Sequence, residues 1–128
     1  MTVLDMEASI EHLSRGTLRD VETLLIVTEP YFRALETLGR TVPLARDLGI
    51  PQVYVIANKV RSERDEETIR AYTARLGLDL LAVVPFDEAA QEADRANQAL
   101  VEYRPDAPAV QAIARIVDAL SSQATVAR

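Results

Sequence analysis

Three short stretches of this 128-residue chain put polar, chemically capable side chains at the ends of apolar runs. The first is Asp5, which closes the stub Val3-Leu4 and precedes Met6-Glu7-Ala8-Ser9. A carboxylate so placed can hold Mg²⁺ through water, because Mg²⁺ takes few protein carboxylates and keeps several waters. Taken alone, the same acid is more readily a helix N-cap or a solvated loop residue. Glu7, Glu11 and His12 are metal-ligand types, yet one His beside two acids on a polar stretch is the ordinary make-up of a solvated face. The second stretch is Asn58-Lys59-Val60-Arg61. An Asn amide donates and accepts at once, which is what a purine edge asks for. An Asn-Lys pair is also common in plain loops. Arg61 stands where a guanine-reading Asn-Lys-x-Asp pattern needs an acid, so guanine discrimination is not expected. The third stretch is Pro85-Phe86-Asp87: the first two can wall a base pocket, and Asp87 is a natural N-cap for a helix from Glu88 onward.

These residues are positioned by alternating strands and helices. Val21 to Thr28, Val53 to Ala57 and Leu78 to Val84 are nearly unbroken apolar runs rich in β-branched residues, the pattern of strands covered on both faces in a parallel sheet. Phe32, Leu35, Leu38, Val42, Ala45 and Leu48 recur near a 3.6-residue period, with Pro43 expected to kink or restart that helix. Ser62-x-x-Asp65 resembles a capping box, and the stripe Ile69, Tyr72, Leu76 stops at Gly77. Beyond Pro108, the residues Val110, Ile113, Ala114, Val117 and Leu120 mark an amphipathic helix, and 121–128 reads as a frayed tail. The expected fold is α/β, a mostly parallel sheet with helices on both faces and Rossmann-like layering, with ligands outside the carboxyl ends of the strands.

The composition closes off several classes of function. A net charge of −6 disfavours a protein that tracks nucleic-acid phosphates, which needs a basic surface. With 5% aromatic residues and no Trp, a base-stacking platform for nucleic acid is also disfavoured. No apolar run approaches the roughly 20 residues that span a bilayer. The absence of cysteine removes disulfides and thiolate metal sites from these residues, and a cytoplasmic protein is expected.

The stretch Asp5-Met6-Glu7-Ala8-Ser9-Ile10-Glu11-His12-Leu13-Ser14-Arg15-Gly16-Thr17 resembles the segment after the Walker B strand in CooC-type ATPases, which belong to the MinD/ParA group of deviant-Walker P-loop proteins. The Glu29-Pro30 strand end, Asn58-Lys59-Val60, and Val84-Pro85-Phe86-Asp87 followed by Glu92-Ala93-Asp94-Arg95 are similar to that family's later motifs, in the same order. The resemblance runs through essentially all of the chain but corresponds to the C-terminal half of a family member, so residues 1–128 are expected to form one incomplete P-loop NTPase-like unit. It implies ATP and Mg²⁺ as cofactors, with Asp5 as the Walker B acid acting through metal-bound water. It also implies that Asn58 and Lys59 and the Pro85-Phe86-Asp87 segment form the base side of the nucleotide site. For CooC-type members it further implies a dimerising ATPase that assists nickel insertion into carbon monoxide dehydrogenase. MinD and ParA relatives position division and partition machinery instead.

The chain departs from that pattern in three ways. Its four glycines, Gly16, Gly39, Gly49 and Gly77, form no cluster able to cradle phosphates. Ser9 stands where the family usually has Gly, and the paired cysteines associated with nickel in CooC are missing. The expectation is therefore an ATP-binding accessory part without a Walker A loop, inactive alone. The competing expectation is a non-catalytic binding or oligomerisation module that keeps only the adenine-side walls. With no phosphate-loop strand between the Asp5 stub and Val21 to Thr28, the gap must close by repacking or by pairing with another copy, and self-association is expected.

Overall fold

In a computed structural model of the chain, Val3 and residues 21–126 are described, the last four of these by backbone alone. Asp5, Glu7, Ser9, Glu11 and His12 lie outside the described residues, as does the pairing expected of the Met1-to-Asp5 stub.

The element order is β1 (Thr23–Thr28), α1 (Phe32–Asp47), β2 (Gln52–Val60), α2 (Glu63–Arg75), β3 (Leu80–Pro85), α3 (Glu88–Arg95), α4 (Leu100–Tyr103) and α5 (Pro108–Val126). The strands form a parallel sheet in the order β1-β2-β3. Central β2 shows why its run is unbroken: Val55, Ile56 and Ala57 are all buried, with side chains alternating between two cores. Val55 packs with Ile26, Leu38 and Val42 beneath α1, and Ala57 with Leu35 and Ile69 beneath α1 and α2. Ile56 faces the other way, onto Val84 and onto Ala109, Ala112 and Ile116 of α5. Helices thus cover both faces, as expected for a parallel α/β sheet. Coverage of β1 is incomplete: Val27 is 55% exposed, and among the described residues β1 pairs on one side only.

Local chemistry sets the helix ends. Ser62 accepts a hydrogen bond from the Asp65 N–H at 3.2 Å, while Asp65 Oδ2 accepts from the Arg61 N–H at 3.1 Å. The reciprocal arm of the box therefore lands one residue before the cap. Gly49 and Gly77, with φ of 73° and 72°, end α1 and α2 in the left-handed conformation that glycine adopts without Cβ strain. The bonds Ile50 N–H to Ala45 C=O (3.2 Å) and Leu78 N–H to Thr73 C=O (3.2 Å) close both ends in Schellman fashion.

Four sequence expectations are corrected or sharpened. α1 runs unbroken through Pro43, whose missing N–H removes one helical bond while Leu38, Val42 and Ala45 stay buried. Phe32, assigned to that helix's apolar stripe, is instead 80% exposed at the helix's first position. On α5 the buried face is Ala109, Ala112 and Ile116, whereas Ile113 and Val117 are half-exposed. The alanines let this helix approach the sheet closely, while Ile113 and Val117 lie on its flank. The stretch 121–126, read as a frayed tail, lies within the range of α5.

Candidate functional site

Parallel strands put all their carboxyl ends at one edge of the sheet. Thr28 pairs with Ala57, Ala57 with Val83, and Val60 with Pro85. Asn58 and Lys59 therefore sit between the Glu29-Pro30 end of β1 and the Pro85-Phe86 end of β3. The ladder advances three residues on β2, from Ala57 to Val60, against two on β3, from Val83 to Pro85. The extra residue makes a bulge within Asn58-Lys59, and β2 continues to Val60 instead of ending at Ala57 as the apolar run suggested. Lys59 has φ 56°, a left-handed backbone that costs a side-chain-bearing residue on the order of 1–2 kcal/mol. Bulges and such strained residues concentrate where a strand must re-aim a functional side chain.

Neighbours on both sides hold this strained turn. Lys59 Nζ pairs with Glu29 Oε1 at 3.0 Å, joining the ends of β1 and β2. With both groups partly exposed, such a pair contributes under about 1 kcal/mol and mainly sets orientation. On the other side the Phe86 N–H donates to the Val60 carbonyl at 2.9 Å, fixing Phe86 beside the bulge. The Arg61 guanidinium carbon lies 3.8 Å from the Phe86 ring centroid. Asn58 itself is half-buried, and among the described residues nothing hydrogen-bonds its side-chain amide. A half-buried amide with open donors and acceptor is available to a ligand edge.

Asp87 has a different part. Its Oδ1 accepts from the Ala89 N–H at 3.0 Å, the N-cap expected for α3. Its Oδ2 accepts from the Ala109 N–H at 3.1 Å, in the first turn of α5. Both oxygens are thus committed to backbone, and one carboxylate joins two helix N-termini to the strand end that carries Pro85 and Phe86. Sequence reasoning found the first of these bonds. The second joins residues 22 apart and has no local signal. The Arg61–Phe86 stack and the Glu29–Lys59 pair were likewise beyond it.

Among the described residues no group of three or more His, Asp or Glu is placed to hold a metal ion, and no helix is long and apolar enough to cross a membrane.

Comparison with known proteins agrees with this architecture. A family model described as 4Fe-4S iron sulfur cluster binding proteins, NifH/frxC family, matches residues 23–128. The carbon monoxide dehydrogenase accessory protein CooC of Rhodospirillum rubrum is 44% identical over 103 residues, 80% of this chain and 38% of that protein. An uncharacterized ATP-binding protein of Methanocaldococcus jannaschii, MJ0823, is 47% identical over 88 residues, 69% of this chain and 34% of that protein. Among solved structures, septum site-determining MinD from Pyrococcus horikoshii, complexed with Mg-ADP, superposes with a TM-score of 0.66 at 26% identity, over 82% of this chain and 43% of that one. MinD of Aquifex aeolicus superposes at 0.71 with 16% identity and shows the shared fold. The chain spans less than half the length of these relatives. The iron–sulfur cluster in the family's description does not fit this chain: such clusters are held by Cys thiolates, and its 128 residues include no cysteine.

Proposed function

The chain belongs to the NifH/frxC family and has the fold of the MinD/ParA P-loop ATPases, and we propose that it supplies the base-side half of an ATP site in a CooC-like accessory ATPase. The observation that carries this reading is the strand-end constellation. The Asn58 amide, without a hydrogen-bond partner among the described residues and set in a bulge with Lys59 at φ 56°, lies at the strand end next to a Pro85-Phe86 wall tied to Val60 by a 2.9 Å backbone bond. In this reading Asn58 reads the adenine edge, Lys59 and Glu29 hold the bulge, and Pro85-Phe86 close one side. Asp87 fixes that wall by capping α3 and α5, and leaves ligand contact to its neighbours.

The phosphate end draws on nothing comparable within these 128 residues. P-loop phosphoryl transfer depends on clustered backbone N–H groups and a loop Lys around the β- and γ-phosphates, and the four scattered glycines form no such cradle. Mg²⁺ would be held by Asp5 through water, where it would neutralise phosphate charge. The chain alone therefore binds adenosine and ATP about equally and turns over neither. An accessory role toward carbon monoxide dehydrogenase is what the CooC relative's name supports; a homo-oligomer in the cytoplasm, serving maturation of that enzyme's metal centre, is the form this reading gives that role.

Calorimetric titration of the chain with adenosine and with ATP tests the reading, with Asn58→Ala as the control. Equal affinities, both lost in Asn58→Ala, are expected. ATP binding far tighter than adenosine, or steady-state hydrolysis abolished by Asp5→Ala, would contradict it. Self-association without any nucleotide binding would instead favour the non-catalytic oligomerisation module, a reading supported by the β1 edge, unpaired among the described residues, and by exposed Val27.

A further inference from the structure

We infer that Arg61, held against Phe86, is the stacking floor on which the base lies, so that this site selects its ligand by an aromatic plane as well as by the Asn58 edge. The inference rests on the base-side reading proposed above and adds to it a residue that reading does not use. Arg61 is an exposed side chain, and among the described residues it makes no ion pair. A carboxylate is close at hand: Asp65 Oδ2 accepts the Arg61 main-chain N–H at 3.1 Å. The guanidinium nevertheless lies over the Phe86 ring, 3.8 Å from its centroid, at van der Waals separation. Lys59, two residues earlier, already spends its charge on Glu29 at 3.0 Å. Of the two cations in the Asn58–Arg61 segment, Arg61 is thus the one without a carboxylate partner among the described residues.

The backbone prearranges the stack. Asp65 fixes Arg61 at its N–H, and the Val60 carbonyl fixes Phe86 at its own. The backbones of both partners of the 3.8 Å contact are therefore set by bonds outside it, which leaves the Arg61 side-chain torsions as the ordering that the stack itself must supply. A guanidinium is planar and weakly hydrated, so with one face covered by an aromatic ring its other face suits a second flat π system. A purine base is such a system. Inorganic phosphates, which seek the in-plane N–H donors of Arg, would gain nothing from the Phe86 face. A Lys ammonium has no plane and could not serve as the floor.

The experiment is an NMR titration of the ¹⁵N-labelled full chain with adenosine, and separately with inorganic tripolyphosphate. Wild type, Arg61→Ala, Arg61→Lys, Phe86→Leu and Asn58→Ala are compared, and each variant's amide fingerprint verifies its fold. Arg61→Ala is expected to weaken adenosine about tenfold, as a desolvated cation–π stack would. Arg61→Lys should weaken it nearly as much, and Phe86→Leu by a lesser factor. Tripolyphosphate affinity should be the same in all of them. An Arg61→Ala chain that binds adenosine like wild type, while Asn58→Ala does not, would overturn the stacking floor and leave the base-side site standing. Equal loss of tripolyphosphate and adenosine in Arg61→Ala would overturn it in favour of a simple anion contact. If wild type binds no adenosine, the base-side reading and the stack fall together.

Discussion

Removing the Asp87 carboxylate should unfasten two helices at once. Oδ1 caps α3 through the Ala89 N–H at 3.0 Å, and Oδ2 reaches the Ala109 N–H of α5 at 3.1 Å. A lost N-cap costs about 1 kcal/mol, and up to about 2 when the freed donor cannot be rehydrated. Ala109 is 5% exposed and Asp87 only partly exposed, so the upper figure applies to the α5 bond. Asp87→Ala is expected to cost about 3 kcal/mol, a fifth or more of a typical domain's stability. Asp87→Asn keeps one acceptor oxygen of similar reach but loses the second, along with the negative charge that both helix N-termini favour. It should cost about 1–2 kcal/mol and fall between wild type and Asp87→Ala. Urea unfolding followed by far-UV circular dichroism measures both, with the slope m unchanged if the folded and unfolded ensembles are otherwise alike. Two results would refute this account: Asp87→Ala within about 0.5 kcal/mol of wild type, or Asn and Ala variants of equal stability.

Gly39 lies where α1 meets α2, and a Cβ there would come within 2.6 Å of Tyr72 Oη. Gly39→Ala should therefore lose the roughly 1 kcal/mol that Ala normally adds to a helix interior, and should regain it in a Tyr72→Phe background, as a double-mutant cycle would show. Gly49 has φ 73° and open space around its Cβ direction, so Gly49→Ala should cost about 1 kcal/mol from backbone strain alone, with Gly49→Asn milder by thermal melting. The corrected face of α5 predicts a contrast between adjacent residues. Ile116→Ala should cost about 2–4 kcal/mol, and Val117→Ala under about 1, in the same denaturation assay.

The sequence alone determined the class of the fold and the address of the site. Unbroken β-branched runs at Val21 to Thr28, Val53 to Ala57 and Leu78 to Val84 can be buried on both faces only in a parallel sheet, and parallel strands gather Glu29, Asn58 and Pro85 at one edge whatever the details. The helix stop at Gly77 and the caps at Ser62 and Asp87 were legible because each depends on contacts within a few residues. The face of α5 was not. Its periodicity admits two neighbouring stripes, and the choice of Ala112 and Ile116 over Ile113 and Val117 came from how closely the helix must approach β2 and β3. The working parts of the site were equally out of reach. The bulge that puts Lys59 at φ 56°, the Phe86 N–H bond to Val60 and the second cap of Asp87 each join segments that meet only after the strands have paired. A one-dimensional pattern records what each residue prefers locally. Which distant groups become its partners is decided by the register and separation of packed elements, and only the folded chain fixes those.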